Sequence, residues 1–496
     1  MRDRIALGWA AVALVVHLAV AGRYDFFRDE LYFIVCGQHP AFGYADQPPL
    51  VPLLSAGAYA LGHQLWVLRT IPALAAAALV LVTVALARLA GGKNGAAHLA
   101  GASVATAPIF LGLTGTFNTT VFDPLAWTAI ALLFARSALN DDRRALLWAG
   151  VVAGVALEAK YYLIVWFVAL VVGCAATSWR SLLARREFAL GVVIATLIAL
   201  PSVIWQGLNG WPFAHLVANA GSKDAVIPPV AFLLGQVLVM NPLAAPIWIA
   251  GLIAPFVRAD LRNLRALSIA FGVAVAVTIL GHGKDYYAAA AYPAAFAIGA
   301  VALERALAPS LRTAYAVLFV ALAAAFTPAT LPYLPPDAVH AYLVALHAKP
   351  PQQEKSKLGV LPQYFADQFG WRELAADVAR VYAALPPADR AKAYVYASNY
   401  GEAGAIDIFD AGLGMPPTIS GHNQYGLWGP RGYDGSVLID VGASVEEDRK
   451  ECRSATLAAT FSAPYVMPYE DHLGIVICRG LRRPIGPLWQ ELKFLV

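Results

Sequence analysis

The chain has 496 residues, of which 59% are hydrophobic and only 14% charged, and its formal net charge is +4. Its mean hydropathy of +0.60 is far higher than that of a soluble domain of this size, so the composition predicts a polytopic α-helical membrane protein. The small positive charge comes mostly from basic loops and gives no indication of a nucleic-acid partner.

Apolar segments of about twenty residues recur about eleven times when the short ones are admitted. The eighth is interrupted by Asn241-Pro242, and the fifth and ninth are short. The first is not followed by a small-residue cleavage site, so we expect a retained helix rather than a signal peptide. The predicted spans cover residues 5–21, 66–87, 97–115, 121–138, 145–157, 161–176, 188–205, 230–257, 267–280, 288–303 and 314–329.

Lys and Arg residues concentrate in alternate loops, such as 136–144, 180–186 and 258–265. The positive-inside rule places these loops and the N-terminus in the cytoplasm. The first loop, at about 22–65, and the region after the last span are then extracytoplasmic. We therefore predict a transmembrane catalytic domain over 1–329 and an extracytoplasmic C-terminal domain over 330–496.

The C-terminal domain is predicted to have an α/β structure. A helix-like run at 371–385 alternates with β-branched or aromatic runs at 393–397, 437–440 and 474–478. Cys452 and Cys478 both lie in this domain and could pair in an oxidising compartment, although two unpaired thiols are an equal alternative.

Carboxylates in the first loop are the strongest functional signal. Asp29-Glu30 follows the first span directly, and Asp46 precedes Gln-Pro-Pro, where prolines stop a helix. Ionisable groups at a membrane boundary are costly unless they face a cavity, a partner or water, which makes them candidates for function. A solvated turn between two spans is the alternative.

A second set of polar residues lies at the outer ends of later spans. As alternatives to function, Asp123 could cap a helix, a Glu–Lys pair could snorkel at the interface, and the tyrosines could form an interfacial belt. Cations and carboxylates at one membrane face nevertheless suit a site that holds an anionic lipid phosphate and deprotonates an acceptor. The set comprises Asp123, Glu158, Lys160, Lys284, Tyr286 and Tyr287.

Several of these motifs, in this order, resemble a known family. The chain resembles the GT-C type glycosyltransferases of the protein O-mannosyltransferase and lipid A aminoarabinose transferase superfamily, which use polyprenyl-phosphate-linked sugars. The resemblance implies a GT-C fold in a bacterial inner membrane and transfer to a lipid, glycan or protein acceptor. It is carried by Phe27-Arg-Asp-Glu-Leu-Tyr32, Asp46-Gln-Pro-Pro-Leu50, Phe122-Asp-Pro-Leu125, Lys160-Tyr161 and Lys284-Asp-Tyr-Tyr287 with Tyr292-Pro293.

The resemblance also implies roles for individual residues. Asp29 is implied as the catalytic base of an inverting transfer, with Glu30 as the neighbouring acidic position. Donor phosphate binding falls to Lys284, with Lys160, Arg28, Tyr286 and Tyr287 as further candidates, and Asp46 and Asp123 are supporting acids. The aminoarabinose transferases carry Glu-Lys-Pro-Pro where this chain has Asp46-Gln47-Pro-Pro, so Gln47 replaces a cation.

No obligatory metal or other cofactor is expected. Asp29, Glu30, Asp46 and Asp123 could gather around a divalent cation, but their spacing does not specify a site. Two other classes of protein also fit scattered polar groups among apolar spans: a secondary transporter, and a membrane sensor with an external ligand-binding domain.

Overall fold

The computed structural model describes residues 3–223, 225–348, 352, 354–409, 412 and 414–496. Helices dominate this part of the chain, and strands occur only after residue 390 of it.

The helices and strands are numbered along the chain. The helices up to residue 223 are α1 Arg4–Val20, α2 Arg28–Gln38, α3 Leu50–Leu61, α4 Leu65–Leu89, α5 Asn94–Thr106, α6 Pro108–Leu113, α7 Asp123–Asn140, α8 Arg144–Leu157, α9 Leu163–Ala175, α10 Arg180–Leu183, α11 Arg186–Leu208 and α12 Pro212–Lys223. The later helices are α13 Pro229–Val239, α14 Ala245–Val257, α15 Arg265–Leu280, α16 Tyr292–Ala306, α17 Pro309–Phe326, α18 Pro336–Ala345, α19 Gln363–Ala366, α20 Trp371–Ala384, α21 Pro387–Arg390, α22 Tyr400–Ile408, α23 Asn423–Trp428, α24 Val445–Glu451 and α25 Ile485–Leu492. The strands are β1 Ala393–Ala397, β2 Val437–Val441, β3 Cys452–Phe461 and β4 Leu473–Leu481.

The chain divides into two compact units. Unit 1 consists of Met1–Gly22, Trp66–Ile204 and Val226–Leu334. Unit 2 consists of Arg23–Leu65, Trp205–Ala225 and Pro335–Val496. The first loop thus belongs to the same unit as the C-terminal region. The predicted domains, divided at residue 329, are instead each continuous in sequence, and that division stays a prediction.

The predicted count of about eleven spans is not confirmed. In the described residues, six helices are long and apolar enough to cross a membrane, or seven when α13 and the helical segment Pro242–Val257, bent by 95°, count as one span. The first, fifth and sixth predicted spans form α1, α8 and α9, whose lengths of 17, 14 and 13 residues fall short of the roughly 20 that a hydrocarbon core needs. The third is divided into α5 and α6 because Pro108 disfavours a helical conformation at Ala107.

Small residues set the helix contacts of unit 1. A Cβ atom on Gly150 would lie 2.2 Å from the backbone oxygen of Gly191, so α8 and α11 touch backbone to backbone. Gly299 in α16 likewise approaches Ile247 in α14 so closely that a Cβ would clash. Such contacts are typical of helices in lipid, where close backbone packing replaces the hydrophobic effect.

A four-stranded mixed sheet forms part of unit 2, in the order β1-β2-β4-β3. β1 pairs parallel with β2, and β4 pairs antiparallel with both β2 and β3. The predicted runs at 393–397, 437–440 and 474–478 lie in β1, β2 and β4. The edge strand β3 was not predicted, because its sequence is rich in alanine and only three of its ten residues are buried.

A disulfide joins Cys452 at the start of β3 to Cys478 in β4. The sequence left this pairing open, and the structure resolves it. The bond closes a loop with a sequence separation of 26 residues and ties the edge strand to its neighbour.

Candidate active site

Glu30 caps the first helix of unit 2. Its Oε2 accepts a hydrogen bond from the backbone N–H of Phe27 at 2.8 Å, and the residue is 0% exposed. The carboxylate thereby satisfies a backbone donor at the start of α2, where negative charge also interacts favourably with the helix dipole. The structure therefore gives Glu30 a structural task on the buried side of α2.

Asp29 occupies the same helical turn but a different environment. Its side chain is 25% exposed, and its Oδ1 accepts a hydrogen bond from the Tyr400 hydroxyl at 2.8 Å. The guanidinium Nε of Arg28 lies 3.6 Å from the same oxygen. Burial raises the pKa of Tyr400 well above its ordinary value, so this side chain stays a hydrogen-bond donor.

Arg28 lies among carboxylates of its own unit. Its Nη2 donates to Glu354 at 3.2 Å, its Nη1 donates to the Tyr469 hydroxyl at 2.8 Å, and its Nε lies 3.3 Å from Asp367. Together with Asp29, these two carboxylates surround a single cation, and we call Arg28, Asp29, Glu354 and Asp367 the carboxylate cluster. The charge of Arg28 is thus balanced within unit 2.

Asp46 and Gln47 lie in the same unit, but only the Asp46 side chain has a hydrogen-bond partner among the residues described there. Asp46 Oδ1 accepts a hydrogen bond from the Tyr32 hydroxyl at 2.7 Å. Gln47 is 2% exposed, and in the described part of the chain neither polar atom of its side-chain amide has a hydrogen-bond partner. A buried amide without partners is costly, so Gln47 is a candidate for contact with a ligand.

Unit 1 brings together four of the predicted site residues. The Lys160 ammonium lies 3.6 Å from Asp123, donates to Thr120 Oγ1 at 2.6 Å, and stands 4.4 Å from the centre of the Tyr287 ring. Lys284 is close enough to repel the charge of Lys160. Asp123 begins α7 after a short 3₁₀ turn, and Tyr287 belongs to the 3₁₀ helix Asp285–Ala291, so two helix starts position this cation cluster of Asp123, Lys160, Lys284 and Tyr287.

Aromatic contacts hold Tyr286 and Tyr287 in place. The rings of Tyr286 and Tyr287 lie 4.8 Å apart and edge-on, and Tyr162 contacts Tyr287 at 4.8 Å. The hydroxyl of Tyr162 is hydrogen-bonded to Thr278 at 2.6 Å. Because Tyr287 is held on two sides, its ring offers Lys160 a fixed cation–π partner.

Sequence reasoning missed Tyr400, Glu354 and Asp367. The Tyr400–Asp29 hydrogen bond joins residues 371 positions apart, and no local pattern in the sequence announces such a pairing. Among the described residues, no group of three or more His, Cys, Asp or Glu side chains has the geometry of a metal site.

Comparison with known proteins agrees with the motifs. Residues 46–205 match the family model described as dolichyl-phosphate-mannose-protein mannosyltransferase, which covers less than half of the chain. No curated protein sequence matches the chain significantly.

Solved structures share the fold over nearly the whole chain. ArnT from Cupriavidus metallidurans bound to undecaprenyl phosphate matches with a TM-score of 0.62 and 16% identity, over 95% of this chain and 97% of that one. Its apo state matches with a TM-score of 0.59 and 16% identity, over 95% of this chain and 96% of that one. The chain therefore has the fold of ArnT, and the match over residues 46–205 agrees with the predicted resemblance to the protein O-mannosyltransferases.

Proposed function

We propose that the protein is an inverting glycosyltransferase that moves a sugar from a polyprenyl-phosphate donor to an acceptor outside the cytoplasm. The observation that carries the proposal is the state of Asp29, a partly exposed carboxylate that Tyr400 and Arg28 hold by one oxygen. The family match over residues 46–205, and the fold shared with an ArnT that binds undecaprenyl phosphate, support the choice of donor.

The chemistry is a single displacement at the anomeric carbon of the sugar. The acceptor hydroxyl or amine attacks this carbon, its proton passes to Asp29, and the bond between the carbon and the phosphate oxygen breaks. The polyprenyl phosphate leaves with the bonding electron pair. A carboxylate base of this kind contributes about 10²- to 10⁴-fold to a rate.

The cation cluster of unit 1 is the proposed binding site for the donor phosphate. Lys160 and Lys284 bring two positive charges close together, and both side chains can donate hydrogen bonds to a lipid phosphate. Positive charge there stabilises the leaving group as it develops negative charge. Arg28, whose charge is balanced by its own carboxylates, is assigned to holding Asp29 instead.

Unit 2 is proposed to lie outside the cytoplasm. Support comes from the Cys452–Cys478 disulfide, since such bonds persist in oxidising compartments and are rare in the cytosol. The positive-inside distribution of the basic loops agrees with this orientation.

The test is release of polyprenyl phosphate by purified protein from a panel of polyprenyl-phosphate sugars, with cell-envelope extract as acceptor. Wild-type protein is expected to turn over one donor, and Asp29→Asn is expected to lose that turnover while keeping its melting temperature. No turnover of any donor by folded wild-type protein contradicts the proposal and favours a transporter or a sensor.

A further inference from the structure

Helices α2 and α22 of unit 2 approach each other unusually closely. A Cβ atom on Gly401 would lie 3.2 Å from Arg28 Cβ, and one on Gly404 would lie 3.1 Å from the backbone nitrogen of Tyr32. The two glycines are three positions apart and therefore share one face of α22. This face allows the first turn of α22, which carries Tyr400, to reach the first turn of α2, which carries Asp29.

Asn399 fixes the start of α22. Its Oδ1 accepts hydrogen bonds from the backbone N–H groups of Gly401 and Glu402 at 2.8 and 3.1 Å. Its Nδ2 donates to Oε1 of Glu402 at 2.8 Å and to Oε1 of Glu470 at 2.9 Å. One side chain therefore caps the helix and joins two buried carboxyl groups.

Both carboxyl groups have a raised pKa. Burial is the largest cause for each, the charge of Glu470 adds to the effect on Glu402, and the pKa of Glu470 rises to about 7. Glu402 Oε2 also accepts a hydrogen bond from the N–H of Ser398 at 2.8 Å.

We infer that Tyr400 is a positioning residue for Asp29, and that Asn399, hydrogen-bonded to Glu402 and Glu470, holds Tyr400 in place. The inference rests on the proposed function, because it concerns the base of that reaction. Tyr400 and Arg28 both approach Oδ1 of Asp29, and no donor in the described part of the chain binds Oδ2. Oδ2 is thus the oxygen left to receive the acceptor's proton.

The hydrogen bond from Tyr400 also orients the Asp29 carboxylate. Loss of the hydroxyl leaves the carboxylate free to rotate, so that Oδ2 is held less well in the position that receives the proton. The turnover number then falls, while donor binding, which does not involve Asp29, is unchanged.

The test compares kcat and donor KM of Tyr400→Phe and Tyr425→Phe, using the donor that wild-type protein turns over. Tyr425 is the matched control because its buried hydroxyl also donates to an aspartate, Asp407, at 2.8 Å. For Tyr400→Phe we expect kcat about tenfold lower and a donor KM within about twofold, in keeping with the loss of one charge-assisted hydrogen bond. Tyr425→Phe is expected to keep the wild-type kcat and KM.

A second pair of variants tests the link through Asn399 without touching Tyr400. The amide oxygen of Glu470→Gln can still accept the hydrogen bond from Asn399 Nδ2, so this variant is expected to keep the wild-type kcat. Glu470→Ala removes the acceptor and is expected to reproduce the lowered kcat of Tyr400→Phe.

The outcomes separate this inference from the proposed function. If Asp29→Asn is inactive but Tyr400→Phe keeps the wild-type kcat and KM, the inference is overturned and the proposed function stands. If Tyr400→Phe and Tyr425→Phe lower kcat equally, Tyr400 is only a structural residue and the inference is again overturned. Absence of wild-type turnover, or a fully active Asp29→Asn, overturns the proposed function and this inference together.

Discussion

The polar clusters of the two units gather different groups. In unit 1, Lys160 and Lys284 bring two cations close together beside Asp123. In unit 2, Arg28 contacts the carboxylates of Asp29, Glu354 and Asp367. Paired cations suit an anionic lipid phosphate, and a partly exposed carboxylate suits proton transfer from an acceptor.

Two neighbouring acids of unit 2 also differ in their surroundings. Asp29 and Glu30 share the first turn of α2, yet Glu30 is fully buried and binds a backbone donor, while Asp29 keeps part of its surface exposed. Adjacent positions on a helix point about 100° apart, so one carboxylate faces the interior and the other does not. Proximity in sequence therefore does not imply a shared role.

The largest expected effect comes from the contrast between these two acids. We expect Asp29→Asn to lower kcat by about 10²- to 10⁴-fold, because an amide cannot accept the acceptor's proton. Glu30→Gln is expected to retain kcat within about threefold, since its amide oxygen can still accept the hydrogen bond from Phe27 N–H. Initial rates of polyprenyl phosphate release measure both, and equal losses in the two variants would refute the division of roles.

The next effect concerns the cation cluster. Replacing Lys160 or Lys284 by glutamine is expected to raise the donor KM by about 10- to 100-fold, the cost of one lost charge-assisted hydrogen bond to phosphate. The same change at Lys93, a basic residue in a predicted cytoplasmic loop, serves as the control and should leave KM unaltered. A fall in kcat at constant KM in the two lysine variants would instead place these residues in the chemical step.

A smaller effect is expected from the Cys452–Cys478 disulfide, which belongs to neither cluster. Replacing both Cys452 and Cys478 by alanine should lower the free energy of unfolding by about 2–4 kcal/mol, because the cross-link no longer restricts the unfolded chain. Thermal melts with and without reductant measure this loss. Activity at low temperature should stay within about twofold, and a large loss of activity in the folded variant would tie the sheet to catalysis.

The smallest effect is a pH dependence of stability. Burial raises the pKa of Glu470 from 4.5 to about 7, so the folded state binds this proton more tightly than the unfolded state. The stabilisation is complete below about pH 4.5 and is lost as the pH rises through about 7. We expect the melting temperature to fall by several degrees across this range, and Glu470→Gln to flatten the slope; an equal slope in the variant would contradict the raised pKa of Glu470.

The sequence was informative where the signal was local. The prediction of a helical membrane protein is supported by apolar runs, and β1, β2 and β4 coincide with runs of β-branched and aromatic residues. The capping role of Glu30 follows a spacing of three positions from Phe27, a local pattern that could have indicated it.

Contacts between distant residues could not be predicted in this way. Tyr400 reaches Asp29 across 371 positions, and Arg28 reaches Glu354 across 326. A single sequence carries the residue types of these pairs but not their pairing. The prediction that Arg28 binds the donor phosphate rests on residue type alone, because the carboxylates around Arg28 lie far from it in the sequence.

The central claim is that Asp29 serves the chemical step while the lysines of unit 1 serve donor binding. The most direct measurement is the dissociation constant of the donor that wild-type protein turns over, determined for Asp29→Asn and for Lys160→Gln combined with Lys284→Gln. The account predicts near wild-type affinity without turnover in the first variant and at least tenfold weaker binding in the second. Lost affinity in Asp29→Asn, or full affinity in the double lysine variant, would contradict it.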